Sequence, residues 1–148
     1  MSKGDETTRL PQGMKEIRGA GPDSEKYPHK ELTERIIGCA INVHRQLHAG
    51  FVEQVYEKAL CYEMNKSGLR FLSQKALPVL YDGVVVGEHR ADLIVEDAVV
   101  VELKAVSELT NQHVCQLMST MLAAKAKVGL LINFCEARLV DGLRRVVM

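Results

Sequence analysis

Residues 90–105 read RADLIVEDAVVVELKA, two strands joined by a tight turn at Glu96 and Asp97. The second strand, AlaValValValGluLeuLys, is a near-continuous apolar run, the pattern of a strand buried on both faces. A glutamate and a lysine inside such a run cost free energy unless they are paired or bound. Strand side chains alternate between faces, so Glu102 and Lys104, two apart, project on one side. The hairpin partner can set Asp92 beside them. Two carboxylates and an ammonium converging on a sheet surface make a divalent-cation site with a built-in positive charge. That is the equipment of metal-assisted phosphodiester hydrolysis. Each residue also has a plainer reading. Asp92 could pair with Arg90, two residues back on the same strand face. Glu102 and Lys104 could be paired charges on the solvent face of an edge strand, although the flanking valines argue against an edge.

Outward from this hairpin, the pattern is helix, helix, four or five strands, helix, strand, strand. Leu32, Ile36, Cys39, Ala40, Val43 and Leu47 follow helical spacing. A break at His48 to Gly50 separates this helix from a second, expected over about 51–67, with Val52, Val55, Tyr56, Ala59 and Leu60 inward. Gly68 suits the position just past its end. Two short strands follow, LeuArgPheLeu and AlaLeuProValLeuTyr. Asp82-Gly83 is a strong hairpin turn signal. Thr110 or Asn111 should cap a helix through about Ala126. ValGlyLeuLeuIleAsnPhe reads as a buried strand, and a last strand near 144–147 is expected at the sheet edge. The fold class is α/β, a mixed sheet flanked by helices. Residues 1–28 are polar and aperiodic, which predicts a flexible arm before one domain over 29–148.

The spacing of Asp92, Glu102 and Lys104 resembles the PD-(D/E)XK nuclease superfamily. Gly50, Glu53 and Tyr56, in GlyPheValGluGlnValTyr, match the GxxExxY signature of a family of small bacterial proteins within it. ValHisArgGlnLeu, GluLysAlaLeuCysTyrGluMet, GluHisArgAlaAspLeuIleVal, ValGluLeuLysAlaVal, GlnLeuMetSer and GlyLeuLeuIleAsnPhe stand in that family's order, so the resemblance runs from about Glu31 to Met148. It departs at Leu47, His48, Ala49 and Gly50, where the family commonly has Leu-Gly-Pro-Gly. The resemblance implies a restriction-endonuclease-like core and a Mg²⁺- or Mn²⁺-dependent nuclease acting on DNA or RNA. Asp92 and Glu102 would hold the metal, with the backbone carbonyl of Leu103 as a further ligand, and Lys104 would orient or activate the water.

Glu53, three residues after Gly50, suits position N3 of the second helix, where free N–H groups and the helix dipole favour a carboxylate. The resemblance gives it a second role, as an acidic group near the metal. Tyr56 lies on the same helix face; its hydroxyl could contact substrate, or the ring could be core. Gln116 matches a functional glutamine of some superfamily members, although a helix-surface glutamine is usually inert. His113 reads as a surface or capping residue. His44 and His48 lack the glutamate of an HExxH zinc site. Cys61 and Cys115 have no activating neighbour in sequence and are poor nucleophiles.

Composition sets limits. The chain has 148 residues, 47% of them hydrophobic, enough for one domain with a real core. Cys39, Cys61, Cys115 and Cys135 show no zinc-ligand spacing and read as buried free thiols of a reducing compartment. No apolar run approaches the ~20 residues that span a bilayer, and no signal peptide is indicated, so the cytoplasm is the expected location. With 19 basic and 19 acidic residues the net charge is zero. That disfavours a free-standing, high-affinity binder of long duplex DNA. It leaves room for a nuclease whose substrate is short, whose basic residues cluster or whose partner supplies affinity, and it mildly supports a non-catalytic nucleic-acid- or protein-binding module of the same fold. Arg144 and Arg145, with Lys125 and Lys127, could form a small basic patch or simply be solvated charge. A Val-rich C-terminal edge strand could pair two copies into a homodimer.

Overall fold

The computed structural model describes residues 15–17 and 28–148. The elements are β1 (Lys15–Ile17), α1 (Lys30–Leu47), α2 (Glu53–Lys66), β2 (Phe71–Tyr81), β3 (Val84–Val95), β4 (Val99–Lys104), α3 (Asn111–Ala124), β5 (Val128–Asn133), a 3₁₀ turn (Leu139–Gly142) and β6 (Leu143–Val147). The strands form one six-stranded sheet in the order β1-β6-β5-β4-β3-β2. Among the described residues only β4 and β5 pair in parallel, and α3 is the crossover between them, as a parallel connection requires. The chain is therefore an α/β protein with a mixed sheet flanked by helices.

Burial follows from strand position. β4 and β5 lie in the middle of the sheet and every residue of both except Lys104 is buried. On one face Val99, Val101 and Leu103 pack with Ile36, Cys39, Ala40 and Val43 of α1 and with Tyr56, Leu60 and Met64 of α2. On the other, Val100 packs with Val114, Leu117, Met118 and Met121 of α3. Both hairpin turns close with two residues at positive φ, Asp82 and Gly83, then Glu96 and Asp97. That geometry matches the twist of the flanking strands.

Several expectations are corrected. β6 is not an edge strand: β1 pairs with it from Lys15↔Val147 to Ile17↔Arg145. A homodimer through a free C-terminal edge thereby loses its basis. The arm expected over 1–28 lies mostly outside the described residues, but its residues Lys15–Ile17 are this strand. The two short strands after α2 are one strand of 11 residues, carried through Gln74 at φ 53° and an irregularity at Val79/Leu80. Cys39 alone of the four thiols is fully buried, and Cys135 is exposed, since it lies in the turn after β5. Val52 is exposed, because it precedes the first turn of α2. Arg145 is 5% exposed and donates to the Pro28 carbonyl, so it belongs to no surface patch. Among the described residues no helix is long and apolar enough to cross a membrane.

The segment after β5 has little spare room. A Cβ on Gly142 would stand 2.5 Å from the Asn133 carbonyl oxygen and 2.7 Å from Glu136 Cγ. The side chain of Asn133 in turn braces the segment after Lys104, accepting from Val106 N–H at 3.1 Å and donating to Val106 O at 2.8 Å. Gly142→Ala should therefore cost ~1–3 kcal/mol, as overpacking against backbone does. The check is an earlier urea midpoint at unchanged slope; an unmoved midpoint would show that the turn can give way.

Candidate metal centre on the sheet

Glu102 and Lys104 share the α3 face of β4 with Val100, so the alternation expected from sequence holds. β3 pairs with β4 from Val95↔Val99 to Leu93↔Val101. One step further sets Asp92 opposite Glu102, but the ladder stops there. The Leu103 N–H donates instead to Asp92 Oδ2 at 2.9 Å. The carboxylate has taken the place of a strand carbonyl, and it is engaged across the sheet rather than with Arg90.

The alternation of β3 slips at this residue. Ala91 and Ile94 both pack on the α3 side, while Leu93 and Val95 face α1 and α2. Asp92 therefore stands, half-buried, where the alternation of the strand changes over. Gln74, on the neighbouring strand, donates from Nε2 to Asp92 Oδ1 at 3.4 Å and to Glu57 Oε1 and Oε2 at 2.8 and 3.0 Å. Ser73 Oγ adds a bond to Glu57 at 3.1 Å.

Glu102 is 9% exposed, and its Oε1 has no hydrogen-bond partner. Burial, then the charge of Asp92 and a hydrogen bond shared with it, push its pKa up to about 8. The Thr120 hydroxyl and the Lys104 ammonium pull weakly the other way. Thr120 is itself held by His89, Nε2 to Oγ1 2.7 Å, and donates to Gln116 O at 3.0 Å. An orphaned oxygen on a buried acid beside a second acid is a costly arrangement. A divalent cation is the partner that suits such a donor set. Among the described residues no three His, Cys, Asp or Glu side chains converge to hold a metal ion by themselves. The remaining ligands would have to come from backbone, as from the Leu103 carbonyl, or from water.

The other candidates take distinct places. Lys104 ends β4, half-buried, opposite Asn133 of β5. His113 caps α3: its Nδ1 accepts from Thr110 N–H at 3.0 Å. Burial and then the Lys104 charge lower the His113 pKa, while Glu53 raises it. Lys104, His113 and Glu53 thus meet electrostatically beyond the end of β4. Glu53 is the first residue of α2, at N1 rather than N3, because the helix starts only at Glu53. It belongs to the helix on the opposite face and approaches at the Lys104 end, not as a third carboxylate beside Asp92 and Glu102. Gln116 is exposed on α3, three residues after His113 and four before Thr120, so all three share one stripe.

Tyr56 is fully buried. Its hydroxyl donates to His48 O at 2.5 Å and accepts from Phe51 N–H at 3.1 Å, and its ring stacks on Phe134 with centroids 4.5 Å apart. It braces the loop that presents Glu53 and has no surface left for a substrate. His44, also buried, bonds Glu136 O at 2.8 Å. Burial and the neighbouring Glu57 raise the Cys61 pKa, the opposite of an activated thiol.

Sequence reasoning missed Gln74, Glu57, Thr120 and His89. Thr120 carried a signal, a polar residue on the buried stripe of Val114, Leu117, Met118 and Met121. Glu57 carried a weaker one, four residues after Glu53. His89 carried only its place in the family-like stretch GluHisArgAlaAspLeuIleVal, and Gln74 carried none.

No curated protein and no solved structure matches the chain. A family model, that of the PD-(D/E)XK nuclease superfamily, matches residues 30–146. The match takes in the strands and helices that bring Asp92, Glu102 and Lys104 together, and it covers most of the chain. The chain therefore belongs to the PD-(D/E)XK nuclease superfamily.

Proposed function

We propose that the protein is a Mg²⁺- or Mn²⁺-dependent nuclease hydrolysing phosphodiester bonds in DNA or RNA, of the GxxExxY kind within its superfamily. One observation carries the reading: the buried, orphaned Glu102 oxygen beside Asp92, on the central strands of a nuclease-superfamily core. Asp92 and Glu102 would hold the cation, with the Leu103 carbonyl. A cation bound there supplies Lewis acidity towards the phosphodiester and towards water. Lys104 stabilises negative charge developing on the phosphoryl oxygens and orients the attacking water. Glu53 and Gln116 would complete the site. The subfamily reading is supported by what the motif does: Gly50 turns at φ 126°, Tyr56 ties the loop down, and Glu53 is left exposed at the helix start.

The neutral net charge favours a second reading, a binding module of nuclease fold whose nucleic-acid affinity comes from a partner protein. Isothermal titration with Mg²⁺ and Mn²⁺ tests the metal centre. The parent should bind one or two ions per chain at up to millimolar concentration. Asp92→Asn should bind at least ~10-fold more weakly, the loss typical of disturbing a metal site. No binding by the parent, or equal binding by both, would remove the centre.

A further inference from the structure

We propose that Gln74 is a positioning residue for Asp92, anchored from behind by Glu57, and that its strained backbone is kept for the sake of that contact. The inference rests on the reading of Asp92 as a metal ligand. The register pairs Ser73 with Leu93 and Lys75 with Ala91, which leaves Gln74 facing Asp92 without a ladder pair. Gln74 sits there at φ 53°, a conformation that L residues other than Asn and Asp seldom adopt. Glycine would take it without strain, but glycine carries no amide.

The amide nitrogen is fully used. Its two N–H groups face two carboxylates, Glu57 at 2.8 and 3.0 Å and Asp92 Oδ1 at 3.4 Å. Both neighbours only accept when ionised, so the nitrogen must be the end that points at them. Asp92 is thereby held by two tethers on different oxygens, Gln74 on Oδ1 and the Leu103 N–H on Oδ2. Two such tethers fix the plane of the carboxyl group, and with it the direction of its free lone pairs. Glu57 cannot swing away, because Ser73 holds it as well. An arm thus runs from the second turn of α2, through the kink of β2, to the ligand on β3. Gln74 touches neither substrate nor cation. It acts through Asp92, and residues that orient a metal ligand usually change metal affinity 10- to 100-fold when lost.

The test is Gln74→Gly in the full chain, read in three ways. Its melting temperature should equal or exceed that of the parent, because strain is relieved. Its Mn²⁺ affinity by titration calorimetry should fall ~10- to 100-fold. In metal-free, ¹⁵N-labelled protein, the Leu103 amide proton should move upfield as its bond to Asp92 loosens, and Glu57→Ala should move it the same way. A residue that serves only stability would lower the melting temperature and leave the Leu103 amide in place; that result overturns the proposal, as does Mn²⁺ affinity equal to the parent's. If the parent itself binds no Mn²⁺, the metal reading fails on its own. The Leu103 amide then still decides whether Gln74 holds Asp92.

Discussion

At pH 8 and without divalent ions, Glu102→Gln should melt well above the parent, and the difference should close as the pH falls towards 4.5. The Glu102 carboxyl titrates near 4.5 when unfolded and at about 8 when folded, raised first by burial and then by Asp92. Between those values the folded protein keeps a proton that the unfolded chain has released. Its stability is therefore fully present below 4.5 and is lost progressively as the pH climbs to about 8. That distance, at ~1.4 kcal/mol per pH unit, puts the loss at several kcal/mol. Glutamine keeps the shape and removes the titration, so the variant's melting temperature should be nearly flat over the same window. Divalent ions should raise the parent and not the variant, since a ligand at 100 times its Kd adds ~2.7 kcal/mol to the state that binds it. A parent melting curve independent of pH from 5 to 8 would show that Glu102 is not held protonated. A variant stabilised by Mg²⁺ as strongly as the parent would show that the ion sits elsewhere.

That penalty is also why this part of the site was legible in the sequence. Val99, Val100, Val101 and Leu103 announce a strand with no solvent face, and an acid in the middle of it has few bland explanations. A two-residue turn at Glu96 and Asp97 would count Asp92 to Val101; the ladder pairs Val95 with Val99, one residue further on, and from there Asp92 comes opposite Glu102. Local signals of this kind also marked α1 and the Asp82-Gly83 hairpin.

What stayed hidden depends on contacts between distant segments. Tyr56 and Glu53 share a helix face, but which of them meets the core is decided by Phe134, 78 residues after Tyr56 and stacked on its ring. β6 looked like an edge because its cover, Lys15–Ile17, is three residues within a polar, aperiodic stretch. Gln74 is invisible for a further reason. Its left-handed φ runs against residue preference, so no propensity argument would place it there. Positions that break local rules are where sequence reasoning is expected to fail and where function tends to reside.

Lys104→Ala should bind Mn²⁺ much as the parent does and cleave ~10²–10³ times more slowly, the usual cost of removing one group that stabilises transition-state charge. Lys104 sits at the end of β4, beside Glu102 and close enough to His113 to lower its pKa. A protonated amine cannot ligate a hard cation, so its part lies in the chemical step. Metal affinity should change little because two effects oppose one another. Losing the ammonium removes repulsion of the incoming cation, but it also lets Glu102 hold its proton more tightly, since Lys104 favours the ionised form. The loss should therefore appear in the rate at saturating metal, not in the metal concentration needed. The assay is cleavage of labelled single- and double-stranded DNA and RNA with Mg²⁺ or Mn²⁺. If the parent cuts all four no faster than buffer, the binding-module reading takes over, and the calorimetry then says whether that module still carries a metal. If the parent cuts and Lys104→Ala cuts equally well, the ammonium is not stabilising the reacting phosphate, and the stabilising charge must come from the cation alone.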